Sequence, residues 1–404
     1  MPLTSPSPVD VVVIGTGAAG LVAALAAADS GASVTLIEKA DQVGGTTALS
    51  SGVAWIPATS VAAAAGAVDS REAGLAYLNS LSHGMIRPEM AQAFVESGDE
   101  VVEWLRTRTP LTLRLVPGFP DYHPEHPGGM PRGGRSLEPE LISMDRLGGW
   151  GDRMVGTPRP MRVTETPVGG GTGVLPLEIE TDRRASHVEG LGRALVAALL
   201  RGCLDHGVVP RTGVRALRLL TNDGRVTGVE VETPDGREEI SGGSVVLATG
   251  GFEYDAELVR AFLRGPMREP AGVPSNTGDG LRMAMRLGAA LGAMREAWWV
   301  PVVRLPGERA DGGSNVQLVL RERTLPRSIV VNRSGRRFTN EAANYNALGG
   351  AFHTFDPGSF DYVNQPCWLL FDQGFVDAYG GFGTAPGGPA PEWLMAADSL
   401  ADLA

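Results

Sequence analysis

Three glycines and one acidic residue stand at the spacing that binds the pyrophosphate and ribose of a dinucleotide. Gly15, Gly17 and Gly20 follow the apolar run 11–14, and Glu38 lies 21 residues after Gly17. Gly15 allows a tight turn, Gly17 lets a pyrophosphate approach the backbone, and Gly20 lets the next helix pack closely. An acid at this distance can accept hydrogen bonds from ribose hydroxyls. The motif predicts dinucleotide binding; incidental glycines in an alanine-rich helix are the alternative.

The elements that must position these groups are a strand, a helix and a second strand. Residues 11–14 form a β-branched run typical of a strand buried on both faces of a parallel sheet. The alanine-rich stretch 21–28 predicts a helix, and 34–37 predicts a strand that ends at Glu38. The helix N-terminus would direct its N–H groups and dipole at the phosphates. The predicted contacts in this turn are Gly15, Gly17, Ala18, Ala19 and Gly20.

A second loop rich in glycine and hydroxyl groups follows Glu38 and favours a flavin over a nicotinamide cofactor. An NAD dehydrogenase has no general need for this loop, whereas a flavoprotein needs one along the pyrophosphate and under the isoalloxazine ring. Glycines permit close approach, and hydroxyls can donate to phosphate and flavin atoms. An ordinary serine–glycine turn is the alternative. The predicted contacts in this loop are Lys39, Gly44, Gly45, Thr46, Thr47, Ser50, Ser51 and Gly52.

At these motifs the chain resembles the flavoproteins related to fumarate reductase. Residues 15–20, Glu38 and 44–52 carry the resemblance, and the run on to 57 is most similar to the 3-ketosteroid Δ1-dehydrogenase branch. The resemblance covers nearly all of the chain and implies an FAD-dependent oxidoreductase of the α/β class. It also implies a Rossmann-like FAD-binding domain, with a parallel sheet and a β-meander, over 1–268 and an α+β catalytic domain over 269–404.

The middle of the chain predicts the rest of the nucleotide-binding domain. A helix over 189–204 precedes meander strands over 214–220 and 226–232, and a buried strand over 244–251 ends in glycines. In the resembled family a meander of this kind lies beside the adenine, and the turn after the last strand passes near the dinucleotide. The contacts implied are the backbone amide near Val214 for adenine, and Ala248, Thr249 and Gly250 for the dinucleotide.

A glycine-rich turn opens the second predicted domain. Residues 275–280 precede a predicted helix over 281–291, and Asp279 could cap that helix, since an acid is favourable at a helix N-terminus. In the resembled family this turn lies against the flavin. The resemblance therefore implies cofactor contacts from Gly278 and Asp279, which is compatible with capping.

Two further elements and the end of the chain complete this region. Residues 328–341 predict a hairpin with a turn near 334–335, and 365–372 predict a buried strand. The sequence stops at Ala404 inside a predicted helix over 391–403. The resembled family continues into a C-terminal return segment that contacts the flavin and, in the steroid branch, binds the C3 carbonyl. This segment is absent here, and we expect the sequence to be a fragment.

Two of the six tyrosines match catalytic positions of the resembled family. Tyr122 lies in a Pro-Asp-Tyr loop, and Tyr345 follows the Asn-Glu pair at 340–341. The resemblance implies that Tyr345 removes the C2 proton of a 3-ketosteroid, with Tyr122 supporting it, while a hydride passes from C1 to flavin N5. The carbonyl acidifies the proton, so a phenolate serves as base if a neighbour that hydrogen-bonds the charged form lowers the pKa of the tyrosine. The neutral phenol suits an apolar cavity better than a charged carboxylate. Ordinary packing is the alternative for both tyrosines.

Two other functions stay open. Chemistry on a dicarboxylate, as in fumarate reduction, needs cationic groups around two carboxylates, and Arg336, Arg337 and His353 are the candidates. A bound FAD without substrate chemistry is the other alternative. The expected partners are a small apolar ketone or steroid and an external, quinone-like electron acceptor.

Composition narrows the function classes. The 404 residues carry a net charge of −11, which argues against a nucleic-acid partner. No segment approaches the roughly 20 apolar residues of a membrane span, and Cys203 and Cys367 suit a reducing compartment, so we expect a cytoplasmic protein. His123 and His126 lie close in the chain, but no further Cys or His is nearby, so no metal site is expected.

Overall fold

The computed structural model describes residues 8–403 and divides them into two compact units. The first unit comprises residues 8–258 and 272–293, and the second comprises 259–271 and 294–403. The chain therefore passes between the units three times, whereas the sequence suggested a single boundary after residue 268. The functional division at 268 stays a prediction.

The first unit contains the five-stranded sheet and most of the helices. Its strands are β1 (Val9–Ile14), β2 (Val34–Ile37), β3 (Ala54–Trp55), β4 (Leu113–Leu115), β5 (Ser136–Pro139), β6 (Ile142–Ser143), β7 (Val188–Glu189), β8 (Arg215–Asn222), β9 (Arg225–Thr233) and β10 (Gly236–Leu247). Its helices are α1 (Ala18–Asp29), α2 (Gly45–Leu49), α3 (Ser60–Ala64), α4 (Arg71–Ser82), α5 (Pro88–Arg108), α6 (Leu177–Ala185), α7 (Leu191–Asp205) and α9 (Asp279–Arg286), while α8 (Ala256–Phe262) contains the first unit boundary.

The second unit is built of short helices and two-stranded ribbons. Its strands are β11 (Val302–Arg304), β12 (Val316–Leu318), β13 (Ser328–Asn332), β14 (Phe355–Asp356), β15 (Asp361–Tyr362) and β16 (Cys367–Phe371), and its remaining helices are α10 (Tyr345–Phe352), α11 (Gln373–Tyr379) and α12 (Leu400–Leu403). The strands pair antiparallel as β11–β12, β13–β16 and β14–β15.

The five-stranded sheet has the order β2-β1-β10-β9-β8 and confirms the predicted Rossmann-like architecture. Strand β1 is parallel to β2 and β10, whereas β9 runs antiparallel to both β10 and β8. The sequence assigned the meander and the return strand to separate elements. In the structure β10 serves as both, because residues 236–241 pair with β9 and residues 242–247 pair with β1. The glycines at 242–243 stay extended at this change of partner and do not form a turn.

Strand β1 is covered on both faces, as its apolar run predicted. Neighbouring residues of a strand point to opposite faces, and Val12 and Val13 are both fully buried. Val13 packs in a core with Leu25 of α1 and Leu200 of α7, while Val12 packs in a second core with Val229 of the meander. The parallel strands are thus held between two helices and a β-layer, which fixes the strand ends that carry the glycine turn.

Three predicted elements are shorter than the sequence suggested. The helix expected over 281–291 spans Asp279–Arg286, because Gly288 with a φ of +78° follows its C-terminus. Residues 328–341 form only β13 and a turn, closed by a single bridge between Val331 and Arg337, since β13 pairs with β16. The helix expected over 391–403 reduces to α12, which buries no residue and lacks the packing that stabilises short helices.

No helix among residues 8–403 is both long and apolar enough to cross a membrane.

Candidate functional site

The turn between β1 and α1 is pressed against the end of β10. Gly15 has a φ of +108°, and its N–H donates to the Ile37 carbonyl at 2.8 Å. A Cβ at Gly15 would lie 2.2 Å from the Ala248 carbonyl oxygen, and a Cβ at Gly20 would lie 1.8 Å from the Gly15 carbonyl oxygen. Only glycine fits at these two positions, so the turn lies directly against Ala248.

Gly17 differs from these glycines because the protein itself leaves room there for a side chain. Its φ of −67° and ψ of 176° are open to any residue, and a Cβ would meet Thr47 Oγ1 only at 3.4 Å. Gly17 is also the N-cap of α1, without a side-chain cap and without an acid in the first turn. This geometry leaves the space that the predicted pyrophosphate at the helix N-terminus would need.

Two threonine hydroxyls hold the second glycine loop against this turn. Thr16 Oγ1 accepts a hydrogen bond from the Gly44 N–H at 3.1 Å, and Thr47 Oγ1 accepts one from the Ala18 N–H at 3.1 Å. Gly44 has a φ of +106°, and a Cβ at Gly45 would have no neighbour within 4 Å. The two glycine segments, predicted separately, are therefore adjacent and leave open space at their backbone.

Glu38 is a nearly buried carboxylate at the end of β2. Its Oε2 accepts hydrogen bonds from the N–H and hydroxyl of Thr16 at 3.0 and 2.7 Å, and its Oε1 accepts one from the Ala40 N–H at 3.0 Å. An ionised carboxylate has about four acceptor positions, so capacity for a ribose hydroxyl remains. The Val214 N–H donates to the Glu38 carbonyl at 2.9 Å, so the amide proposed for the adenine is already paired within the protein.

Lys39 and Asp279, two predicted cofactor residues far apart in the chain, form an ion pair. Lys39 Nζ lies 3.0 Å from Asp279 Oδ2 and donates to Thr277 Oγ1 at 2.7 Å. Burial alone would raise the pKa of the Asp279 carboxyl, but hydrogen bonds from Lys39 and Arg215 outweigh it and hold the pKa below its ordinary value. Asp279 does not cap α9; the N-cap is Gly278, and Asp279 is the first helical residue.

Thr46 faces a buried amide that the sequence analysis did not single out. Asn276 Nδ2 donates to Thr46 Oγ1 at 3.0 Å and to Glu253 Oε1 at 2.7 Å. A Cβ at Gly250 would lie 2.5 Å from Asn276 Oδ1. The second loop, the turn after β10 and the segment before α9 therefore meet at Asn276.

The remaining predicted cofactor residues have mixed surroundings. Ser50 Oγ accepts a hydrogen bond from the Gly52 N–H at 3.0 Å and donates to the carbonyl three residues earlier, so this hydroxyl serves the local turn. Thr249 packs against the first turn of α9, where a Cβ at the second helical residue would lie 2.2 Å from its Oγ1. Ser51 and Ala19 are exposed.

Tyr122 follows a buried ion-pair network in the first unit. Asp121 accepts hydrogen bonds from Trp55 Nε1 at 2.7 Å, Arg135 Nη1 at 2.9 Å and the Met130 N–H at 3.0 Å. Arg135 is fully buried and also binds Asp69 through two hydrogen bonds of 2.6 and 2.8 Å.

Both neighbours of Tyr122 are anchored, although the tyrosine itself is 39% exposed. On one side stands Asp121, which is 4% exposed. On the other side the His123 N–H donates to Tyr77 Oη at 3.0 Å. Burial raises the pKa of Tyr77, which keeps this phenol neutral. The loop thus holds the backbone of Tyr122 at two adjacent points.

Tyr345 belongs to the second unit, where it is the first residue of α10. The Asn344 side chain caps this helix by accepting a hydrogen bond from the Ala347 N–H at 2.9 Å. Trp298 Nε1 donates to Tyr345 Oη at 3.1 Å. Burial alone would raise the pKa of Glu341, but hydrogen bonds from Arg337 and a backbone N–H hold it below its ordinary value. Glu341, the second residue of the Asn-Glu pair before Tyr345, is thus a buried carboxylate whose charge is balanced by Arg337.

The residues that sequence analysis missed are mainly partners of residues that it named. Thr16 lies inside the glycine motif, so its hydroxyl could have been recognised as a neighbour of the second loop. Asp121 forms part of the Pro-Asp-Tyr motif, but nothing local indicates that it binds Arg135 or Trp55. Trp298 lies 47 residues before Tyr345 in the chain; its side chain is exposed and hydrogen-bonds to Tyr345.

The fold and the turn geometry define an FAD-binding oxidoreductase with a Rossmann-like domain. Residues 10–380 match the family described as FAD binding domain, and the chain belongs to this family. Its cofactor is therefore FAD, as the second glycine loop predicted.

Similar proteins narrow the class further. The chain is 38% identical to 4-oxocyclohexanecarboxylate 2-dehydrogenase of Sinomonas cyclohexanicum, over 99% of this chain and 71% of that protein. It is 35% identical to 3-oxosteroid 1-dehydrogenase of Mycobacterium tuberculosis, over 98% of this chain and 75% of that protein. The crystal structure of 3-ketosteroid Δ1-dehydrogenase from Sterolibacterium denitrificans, in complex with 1,4-androstadiene-3,17-dione, superposes with a TM-score of 0.86 and 32% identity over 96% of this chain and 73% of that chain.

Fumarate-reducing flavoproteins are more distant. NADH:fumarate oxidoreductase of Klebsiella pneumoniae is 28% identical over 89% of this chain and 32% of that protein. The chain is therefore an FAD-binding oxidoreductase homologous to 3-ketosteroid Δ1-dehydrogenases and cyclic ketone dehydrogenases.

Substitutions at Gly17 and Gly20 separate the cofactor's requirement for glycine from that of the fold. We expect Gly17→Ala to keep the thermal stability of the apoprotein and to lose bound FAD, since the new methyl group fits the protein but occupies the pyrophosphate approach. Gly20→Ala should destabilise the apoprotein itself, because its Cβ meets a backbone carbonyl at 1.8 Å. Thermal melts and the flavin absorbance of both variants check this; a Gly17→Ala protein with full flavin content would contradict it.

Substitution of Asp121 tests the anchor of the Tyr122 loop. Asp121→Asn removes one charge from a buried pair, and we expect it to lower the free energy of unfolding by about 3 kcal/mol. The exposed Glu103–Arg106 pair on α5 provides the matched control, and Glu103→Gln should change stability little because solvent screens the pair. Urea unfolding of both variants decides; equal effects would mean that Asp121 is not an anchor.

Proposed function

We propose that this chain introduces a carbon–carbon double bond next to the carbonyl of a 3-ketosteroid or a similar cyclic ketone. The relation to both steroid and monocyclic ketone dehydrogenases over nearly the whole chain supports this reaction class. The single observation in the site that carries the proposal is the hydrogen bond from Trp298 to the phenol oxygen of Tyr345, at the position where the resemblance requires a base.

Tyr345 is the proposed base for the proton next to the carbonyl. An indole N–H can only donate, so the Tyr345 oxygen accepts this hydrogen bond. A hydrogen-bond donor at that oxygen would stabilise the phenolate, which is the form that accepts a proton. The substrate carbonyl acidifies the proton at C2, so a phenolate is a sufficient base. Before the reaction the neutral phenol is compatible with an apolar cavity.

Tyr122 is the proposed supporting hydroxyl. Its neighbours Asp121 and His123 are both held by hydrogen bonds, so the backbone that carries the tyrosine is fixed while its side chain remains 39% exposed. A catalytic group gains most when its position is set before the substrate arrives.

FAD, when bound, supplies the acceptor for the hydride that leaves the carbon next to the deprotonated one. The protein would hold its pyrophosphate at the N-terminus of α1 and its ribose at Glu38. Electrons must then pass to an external acceptor, which we propose is quinone-like. We also propose a cytoplasmic location, with which two unpaired cysteines agree.

The three candidate residues for a dicarboxylate reaction, Arg336, Arg337 and His353, support that reaction less well than the tyrosines support the ketone reaction. The Pro266 carbonyl accepts a hydrogen bond from His353 Nε2, and burial lowers the pKa of His353, so the imidazole is neutral near pH 7. Arg337 is paired with Glu341. Arg336, the third candidate, is exposed. A site for two carboxylates needs several cationic groups around it, so the ketone reaction is the better-supported function.

Anaerobic titration of the FAD-loaded chain tests the reaction class. We expect 4-androstene-3,17-dione or 4-oxocyclohexanecarboxylate to bleach the visible flavin band, because either ketone can lose a proton and a hydride from adjacent carbons. Whichever compound bleaches at the lower concentration identifies the substrate size. Succinate is the control for the dicarboxylate alternative, and bleaching by succinate alone would overturn the proposal. An unchanged band with all three would favour FAD binding without substrate chemistry.

Substitution of Tyr345 tests the proposed base. Tyr345→Phe should lower the rate of flavin reduction by the ketone at least about 100-fold, the usual loss for a general base, while flavin content stays unchanged. Tyr379→Phe is the matched control, since it removes a hydroxyl from another helix of the second unit. Stopped-flow traces at 450 nm measure both rates. A near-normal rate in Tyr345→Phe would remove the residue from the mechanism.

A further inference from the structure

A cluster of metal-ligand side chains lies in the loop that carries Tyr122, although the sequence gave no expectation of a metal site. The ligand atoms of His123, Glu125 and His126 all lie within 4.8 Å of one another. A count of cysteine and histidine alone leaves out Glu125, whose carboxylate can also bind a metal ion. We propose that these three side chains form a binding site for Zn²⁺ or a similar borderline transition-metal ion.

The backbone brings the two histidines together. The His126 N–H donates to the His123 carbonyl at 3.1 Å, which closes a tight turn and places the side chains of its first and fourth residues side by side. Their ring centroids are 5.4 Å apart. Gly128 fixes the loop on α4, because a Cβ there would lie 2.1 Å from the Ala73 carbonyl oxygen. The pairing of the histidines is thus a property of the folded loop.

Ser80 favours one tautomer of His126. The Ser80 hydroxyl donates its one proton to the Tyr77 carbonyl at 2.7 Å. Its contact of 3.2 Å with His126 Nδ1 must then have the ring nitrogen as donor. A neutral His126 with its proton on Nδ1 presents a lone pair on Nε2. Metal-binding histidines are commonly oriented in this way through their second nitrogen.

The third ligand is already close to the first. Glu125 Oε1 lies 3.4 Å from His123 Nδ1, and the Glu125 side chain is 67% exposed and able to adjust. Ligands around a tetrahedral zinc ion lie about 3.4 Å apart, so the widest separation must shorten by no more than about 1.4 Å from 4.8 Å. This change is within the reach of side-chain rotation.

The ligand set indicates the class of ion. Two imidazoles and one carboxylate suit Zn²⁺, Co²⁺ or Ni²⁺, whereas Mg²⁺ and Ca²⁺ prefer oxygen ligands alone. Three protein ligands leave a fourth position for water. The site lies directly after Tyr122, so an ion there would brace the loop, but ion binding does not depend on the proposed reaction.

Calorimetric titration of the FAD-loaded, metal-free chain with Zn²⁺ tests the site. We expect one ion per chain, with at least about 100-fold weaker binding after His126→Ala and about 10-fold weaker binding after Ser80→Ala, the usual loss for a residue that orients a ligand. His83→Asn, which alters an exposed histidine outside the cluster, is the matched control and should bind as the wild type does.

Other outcomes would overturn the site. Equal Zn²⁺ affinity in the wild type and His126→Ala would place the ion elsewhere, and no saturable binding by the wild type would exclude it. Mg²⁺ binding as tight as that of Zn²⁺ would contradict the ligand chemistry. If His126→Ala loses its flavin or its cooperative thermal melt, the Zn²⁺ affinity of Glu125→Gln, which alters an exposed side chain, is compared with that of the wild type instead.

Discussion

The two glycine segments predicted to hold the cofactor, residues 15–20 and 44–52, are held together through the carboxylate of Glu38. It accepts hydrogen bonds from Thr16 in the first turn, and Thr16 in turn accepts one from Gly44 in the second loop. The backbone of Glu38 pairs with Arg211 and Val214 at the entry to the meander. One residue therefore ties together the glycine turn, the flavin loop and the meander. A nearly buried carboxylate without these donors would be costly, so the arrangement of the three segments and the charge of Glu38 are coupled.

Gly17 and Gly20 of the first motif are glycines for different physical reasons, one connected with the ligand and the other with the fold. A side chain at Gly20 would collide with the protein's own backbone, whereas a side chain at Gly17 would meet nothing closer than 3.4 Å. Sequence alone presents both as one motif. The structure assigns Gly20 to helix packing and leaves space at Gly17, where we propose that the pyrophosphate of FAD binds.

Local patterns predicted the parallel strands, the meander and the glycine segments because each depends on a short run of residues. The burial of Val12 and Val13 on opposite faces follows from an unbroken apolar strand. Local patterns could not predict that β10 serves both as the last meander strand and as the neighbour of β1. This follows only from its pairing with β9 and then with β1, which shows that residues 242–243 stay extended. The partners of Asp121 and Tyr345 were also out of reach. They lie 9 to 66 residues away for Asp121 and 47 residues away for Tyr345, and no periodicity marks them.

The environments of the two tyrosines suit a base that is charged only after it loses its own proton. A carboxylate base is charged throughout, whereas a tyrosine is a neutral phenol until it becomes the phenolate that takes the proton acidified by the substrate carbonyl. Each tyrosine accordingly follows a buried acid that an arginine neutralises: Asp121 with Arg135, and Glu341 with Arg337. These pairs fix the backbone before each tyrosine, and Arg135 is held in turn by its second pair with Asp69. The same rigid turn that positions Tyr122 also brings His123 and His126 together, so the proposed metal site is a consequence of how firmly this loop is held.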